Sequence, residues 1–520
     1  MKRVFSFLGV LLLTAFLFPV NTFAEDSNIY VNLSNLEYST NKSEYKAIPE
    51  YENLADFLVD YKANNLSGVY VTDFLYDGVS TVKTPDLDDF IEEDSNDTKI
   101  KTLDIKVINV NTTGNIELTG EITGAMIGVN TNNIKGDINL VLNGVNLDTD
   151  SKKAPAIFVY NKDKNYTDHK VTIKTASGSE NILEGGKLKK VSLLGSDKLD
   201  DYRGNYSGDS LDNYNKYSNY YGIYTSEQIE NVLFATVQVD DEDLQDGDPL
   251  YFYKASGAIS SDIDLYFEGE GSLKVTSKNS EGIETKGNLT FSGGTGDYEI
   301  YSQDDCLNTT TASSGNTTVR NDLTIEVNSL LASVSVDADE GDAIDSNGKL
   351  TINGGTVYAF AHPTSMDAGL DSAGGTYIDG GTVIATGNMV DQISNDSKQD
   401  FIFASFDQIA ADTPVVIKDQ NGNIIAAFKS DRTFKTLIYS NSNLDYKNLK
   451  IYKGGEISGT ETNGLYLSVD SYTGGEEVVF VNMSSKSETY ENDASTVALV
   501  ALLAEFALLF IALSVYMKKY

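Results

Sequence analysis

Acidic residues carry the clearest chemistry in this sequence, because they return at fixed places around a recurring Ile or Leu. Glu281, Asp305 and Asp342 stand two positions before that residue, with Asp304 beside them. Glu284, Asn308, Asp345 and Asp371 follow it directly, and Asp367 lies just ahead of the last copy. If the copies stack as neighbouring strands about 4.8 Å apart, equivalent carboxylates repel one another unless a cation sits between them. Ca2+ meets that need, since it accepts six to eight oxygens at about 2.3–2.6 Å in loose geometry, whereas Mg2+ demands a tighter octahedron. Asp and Asn side chains also cap turns with no metal present, and that second reading stands beside the first. Asp304 and Asp305 with Asn308 make the densest cluster, followed by Asp342 with Asp345, then Asp367 with Asp371.

Other reactive side chains are scarce. Cys306 is the single cysteine, so neither an internal disulfide nor a thiolate zinc site is available. It occupies the place held by Gly282, Ala343 and Gly369 in the other copies, which predicts a small buried packing residue. His169 and His362 are the two histidines, too few for a histidine-rich metal centre, and His362 after Val357–Phe360 reads as surface loop. A segment from about 187 to 250 is rich in tyrosine, with Tyr217, Tyr220 and Tyr221 at its centre. Exposed aromatic rings pack on the C–H faces of sugars, so these three are candidate carbohydrate contacts; a solvated insertion is the plainer alternative.

These groups need a scaffold, and composition bounds it. The 520 residues hold 39 Lys+Arg against 77 Asp+Glu, a net charge of −38 that excludes a nucleic-acid partner, whose phosphates require an excess of basic residues. Hydrophobic residues make up 40% of the chain, enough to bury a core.

The two ends set the expected location. Residues 1–24 read as a secretory signal peptide: Lys2 and Arg3, an apolar run from Phe5 to Val20, then Thr22-Phe23-Ala24 as a small-x-small cleavage site. Residues 494–516 contain one charge, Glu505, and as a helix would reach roughly 34 Å, enough for a transmembrane helix. Lys518 and Lys519 follow at once, which places the C-terminus in the cytoplasm and the rest outside the cell membrane. Glu505 is neutral within the span, snorkels to its edge, or faces a partner helix.

Between the ends, repeats organise the chain. Gly282-Ile283-Glu284-Thr285 through Gly293-Gly294-Thr295 is echoed by Ala343-Ile344-Asp345-Ser346 through Gly354-Gly355-Thr356, and by Gly369-Leu370-Asp371 through Gly380-Gly381-Thr382. Weaker copies begin at Ala258-Ile259 and Cys306-Leu307, so the apolar position falls at 259, 283, 307, 344 and 370. A polar insertion from Ala312 to Asn321 fills the longest step. A unit of about two dozen residues made of short strands separated by Gly, Asn and Asp is one coil of a parallel β-helix, whose shared apolar residue builds an internal ladder. The Gly-Gly-Thr corners supply positive φ where the strand bends. The fold class expected is all-β: a parallel β-helix over 105–400 interrupted by the 187–250 insertion, preceded by an N-terminal extension over 25–104. Short antiparallel strands over 401–485 are expected to cap its open end.

The order of these motifs resembles the clostridial carbohydrate-binding domain-containing family. The resemblance rests on Ile122-Thr123-Gly124, Val141 to Val145, Ala156 to Val159, Asn181 to Leu183, Gly257 to Ser261, Gly269 to Leu273 and the repeated phrases, over roughly 105–390. It implies a right-handed β-helix similar to family 9 polysaccharide lyases, calcium between coils, and cellulose or acidic pectic polysaccharide as ligand. The long insertion and the N-terminal extension depart from the family pattern. Those lyases pair calcium with a basic side chain that abstracts a proton, and Lys278, Lys286 and Lys349 are the candidates near the acidic corners. None has a context that marks it as a base. The expected function is therefore a calcium-loaded, cell-surface polysaccharide-binding protein, with an adhesin or rigid spacer holding a protein partner as the alternative, and a lyase after that.

Overall fold

The computed structural model describes residues 28–51, parts of 57–72, and 105–186 and 257–482 with short gaps. The expected signal peptide, the tyrosine-rich insertion with Tyr217, Tyr220 and Tyr221, and the apolar 494–516 segment lie outside the described residues. Among those described, no helix is long and apolar enough to cross a membrane. The chain is all-β there, apart from helical residues between 57 and 60.

Strand pairing turns the sequence repeat into a parallel stack. One ten-stranded sheet places Ile108, Ile127, Ile157, Ile259, Ile283, Leu307, Ile344 and Leu370 opposite one another in unbroken register. All of these side chains are buried. Each fully buried Ile or Leu stabilises the stack by about 1.5–3 kcal/mol. The unequal sequence steps do not disturb the register, because the extra residues leave as loops. Part of the polar insertion, for example, forms an antiparallel hairpin of Thr311–Ser314 with Thr317–Arg320.

An eighteen-stranded sheet carries the other ladders. Leu265, Leu289, Leu323 and Leu350 align in one column, and Phe267, Phe291, Ile325 and Ile352 in the next apolar one. The Phe267 and Phe291 rings stack with centroids 4.7 Å apart. Corners between strands are tight enough to need glycine. Gly355 has φ +89°, and a Cβ there would overlap the Val327 carbonyl of the preceding repeat.

Two elements extend the stack beyond the repeats. Asn28–Asn32, from the segment expected to be an extension, pairs in parallel with Gly114–Thr123, and Val69–Thr72 adds to the ten-stranded sheet through Lys106–Val110. At the other end, Phe434–Ser440 pairs antiparallel with Thr382–Gly387, the last parallel strand of its sheet, and with Phe401–Ile409. The C-terminal strands also do more than close an end. Leu331, Tyr358, Phe360 and Ile384 are apolar on the outward side of the stack, and Ile402, Val415, Phe428 and Tyr439 pack over them as a second core. Arg432 joins the two bodies: buried, it donates to the carbonyls of Val334, Phe360 and Ala361 and to Ser333 Oγ.

Candidate metal centre

Alternation along Ile283–Thr285, Leu307–Thr309, Ile344–Ser346 and Leu370–Ser372 sends the first residue inward and the second outward. Register then stacks the outward residues in one column: Glu284, Asn308, Asp345, Asp371. Asp342, at the entry to its strand, joins the lower end. Carboxylate oxygens of Asp342, Asp345 and Asp371 all lie within 4.8 Å of one another.

Backbone bonds hold these side chains in place. The Asp342 N–H donates to Asp305 Oδ1 at 2.8 Å, and the Ala368 N–H donates to Asp342 Oδ1 at 2.6 Å. Asn308 Nδ2 donates to Asp305 Oδ2 at 2.5 Å and reaches Asp345 Oδ2 at 3.3 Å. The Ser372 N–H donates to Asp371 Oδ1 at 3.0 Å and to Asp391 Oδ2 at 3.1 Å. Turn capping and acid clustering thus coexist: Asp305 and Asp342 each anchor the next repeat and still face their acidic neighbours.

The electrostatics are unfavourable for the bare acids. Burial, with the charges of Asp371, Asp367 and Asp345 added, pushes Asp342 up to about 8. Burial together with Asp305, Asp371 and Asp391 does the same to Asp345, also to about 8. Asp305 is raised well above the ordinary carboxylate range by burial and by Asp304 and Asp342. Asp304 is pushed up to about 6 by burial and by Glu281, Glu340 and Asp367. Among the described residues, no Lys or Arg forms an ion pair with any of these four.

A divalent cation fits this donor set. Asn308 Oδ1 is buried and has no hydrogen-bond partner, an orphaned acceptor next to clustered carboxylates. Hard oxygen donors without nitrogen or sulfur suit Ca2+ or Mg2+ rather than Zn2+.

Asp367, Glu281 and Glu284, also expected as ligands, are engaged by other partners. Asp367 Oδ2 accepts the Gly341 N–H at 2.7 Å and the Ser365 hydroxyl. Glu281 accepts from the Ser280 hydroxyl. Glu284 is one repeat above Asn308, 2% exposed and engaged by other partners. Glu340 and Asp391, which the repeat pattern did not single out, add charge at the two edges of the cluster. Both come from connections between repeats, where no register exists to read.

The other candidates resolve as follows. Cys306 is fully buried, its Sγ 3.0 Å from Ser302 Oγ and its thiol pushed up to about 12 by burial, so it packs as its repeat position predicted. His362, read as surface loop, is 5% exposed. Its backbone donates to Gly341 O at 3.0 Å, and its Nδ1 accepts the Ser365 N–H at 3.1 Å, which draws the ring inward. Lys278 pairs with Glu184 at 2.5 Å, Lys286 with Asp262 at 2.6 Å, and Lys349 lies over the Tyr377 ring.

Residues 221–436, less than half of the chain, match a family model described as carbohydrate-binding domain-containing protein. No curated protein and no solved structure matches the chain. The matched stretch contains every acidic residue of the cluster.

Proposed function

We propose that this is a polysaccharide-binding protein of the cell exterior, built on a right-handed parallel β-helix and loaded with calcium along its acidic column. The carrying observation is the match of residues 221–436 to a carbohydrate-binding domain family over the repeats that bear that column. The solenoid reading draws support from the unbroken parallel register of eight strands of the ten-stranded sheet and from the repeat of sequence phrases along them. The calcium reading draws support from the mutual approach of Asp342, Asp345 and Asp371, and from the orphaned Asn308 oxygen beside them. Bound there, Ca2+ would neutralise charges on two successive repeats and tie them together. Surface attachment rests on the signal-like 1–24 and the apolar 494–516 segments.

The test is retention of the purified full chain on cellulose, xylan and polygalacturonate, with calcium and with chelator. Retention on at least one polysaccharide, weakened by chelator, is the expected result. Failure on all of them, with calcium present, sinks the reading and favours an adhesin or spacer.

A further inference from the structure

The eighteen-stranded sheet has an outward column three repeats longer than the acidic trio, and of opposite character. Register places Tyr266, Thr290, Thr324, Thr351 and Tyr377 one above the next. The inward neighbours Leu265, Leu289, Leu323 and Leu350 belong to the core, so alternation turns these five to solvent, and each is half-buried. None is charged, in a chain of net charge −38. Four strand spacings put the two tyrosines about 19 Å apart, with a low floor of threonine hydroxyls and methyls between them.

Both rings are braced by the same device. A lysine one repeat back lies over each: Lys170 Nζ is 4.2 Å from the Tyr266 centroid and Lys349 Nζ is 5.5 Å from that of Tyr377. Lys170 and Lys174 also satisfy Glu268, at 2.8 and 3.3 Å. Asp264 and Asp322 stand in the same border column as Lys170 and Lys349, where each accepts a backbone N–H from the next repeat, of Asn288 at 2.7 Å and of Lys349 at 2.8 Å. This border therefore sets two lysines against two aspartates, with no surplus of positive charge, and is rich in acceptors. It offers a polyuronate no excess of cations and suits the hydroxyl donors of uncharged sugars.

We propose that this face binds a neutral, linear polysaccharide lying along the stacking axis. Its sugar rings pack on Tyr266 and Tyr377 and its hydroxyls meet Thr290, Thr324 and Thr351. The inference rests on the polysaccharide-binding reading and assigns it a surface and a ligand class distinct from the acidic column.

The experiment is depletion of the full chain, with calcium, by microcrystalline cellulose and by immobilised polygalacturonate. It compares the wild type with Tyr266→Ala/Tyr377→Ala, Tyr266→Phe/Tyr377→Phe and Thr324→Lys. Cellulose retention should fall about tenfold in the double alanine variant and stay within about twofold in the double phenylalanine variant, which keeps both rings. Thr324→Lys, a change at a half-buried strand position, should weaken retention independently if the alanine variant folds poorly. Unaltered cellulose retention in the alanine and lysine variants overturns the proposed face. Retention by polygalacturonate alone also overturns it, while leaving the broader reading intact; retention by neither overturns the face, and failure on xylan as well overturns both.

Discussion

Asp342 and Asp345 lose water and face other carboxylates, and both effects favour their protonated forms. In the folded chain they titrate near 8, and Asp304 near 6, against an ordinary carboxylate value of 3.8. Between these limits the folded state holds more protons than the unfolded one, so stability falls as pH rises. The penalty is absent below about pH 4 and complete once pH passes the raised folded values. Without metal, the melting temperature should therefore decline from pH 5 to pH 8.5, and calcium should flatten that decline. Thermal melts in chelator and in calcium check this; a chelator profile that does not fall over this range contradicts the account of these carboxylates. Asp345→Asn should raise the melting temperature in chelator at pH 8 and abolish the stabilisation by calcium. A variant that is less stable in chelator yet keeps its calcium response would show that Asp345 is not a ligand. The trio was legible in the sequence because its members hang on the same apolar register. His362 was not, since its burial is set by Gly341 and Ser365, contacts that no periodicity records.

At the scale of elements, the stack keeps its register across connections of unequal length but allows little freedom at its corners. Gly355→Ala places a methyl group at positive φ against the Val327 carbonyl, and should cost about 1–3 kcal/mol or more in denaturant unfolding. An unchanged midpoint would mean that the corner relaxes. Arg432→Met should separate the C-terminal strands from the repeats. It leaves the carbonyls of Val334, Phe360 and Ala361 without their shared donor, at about 1–3 kcal/mol for each group left unpaired. A loss below about 1 kcal/mol would mean that water replaces the guanidinium. Reading the apolar positions 259, 283, 307, 344 and 370 from sequence succeeded because one buried residue per repeat is a strong periodic signal. The strand Asn28–Asn32 was missed because it is short and its partner Gly114–Thr123 lies far along the chain. Pairing at such separation leaves no local trace. The C-terminal strands were legible as antiparallel, but their packing over Leu331 and Tyr358 was not, because it depends on which outward positions the repeats leave apolar.

The whole molecule brings together features that each element shows only in part. A strongly acidic chain concentrates carboxylates on one column of one sheet, and leaves a neutral strip of tyrosine and threonine on another. Cation binding and sugar binding are in this way assigned to separate faces. On the proposed reading, calcium would act on retention indirectly, by holding the last repeats, and with them Tyr377, in register. The most direct measurement is a binding isotherm of the full chain on cellulose, taken in calcium and again after chelation at pH 8. The account predicts saturable retention in calcium and a weaker isotherm after chelation, restored when calcium is returned. No retention on cellulose in the presence of calcium would contradict it.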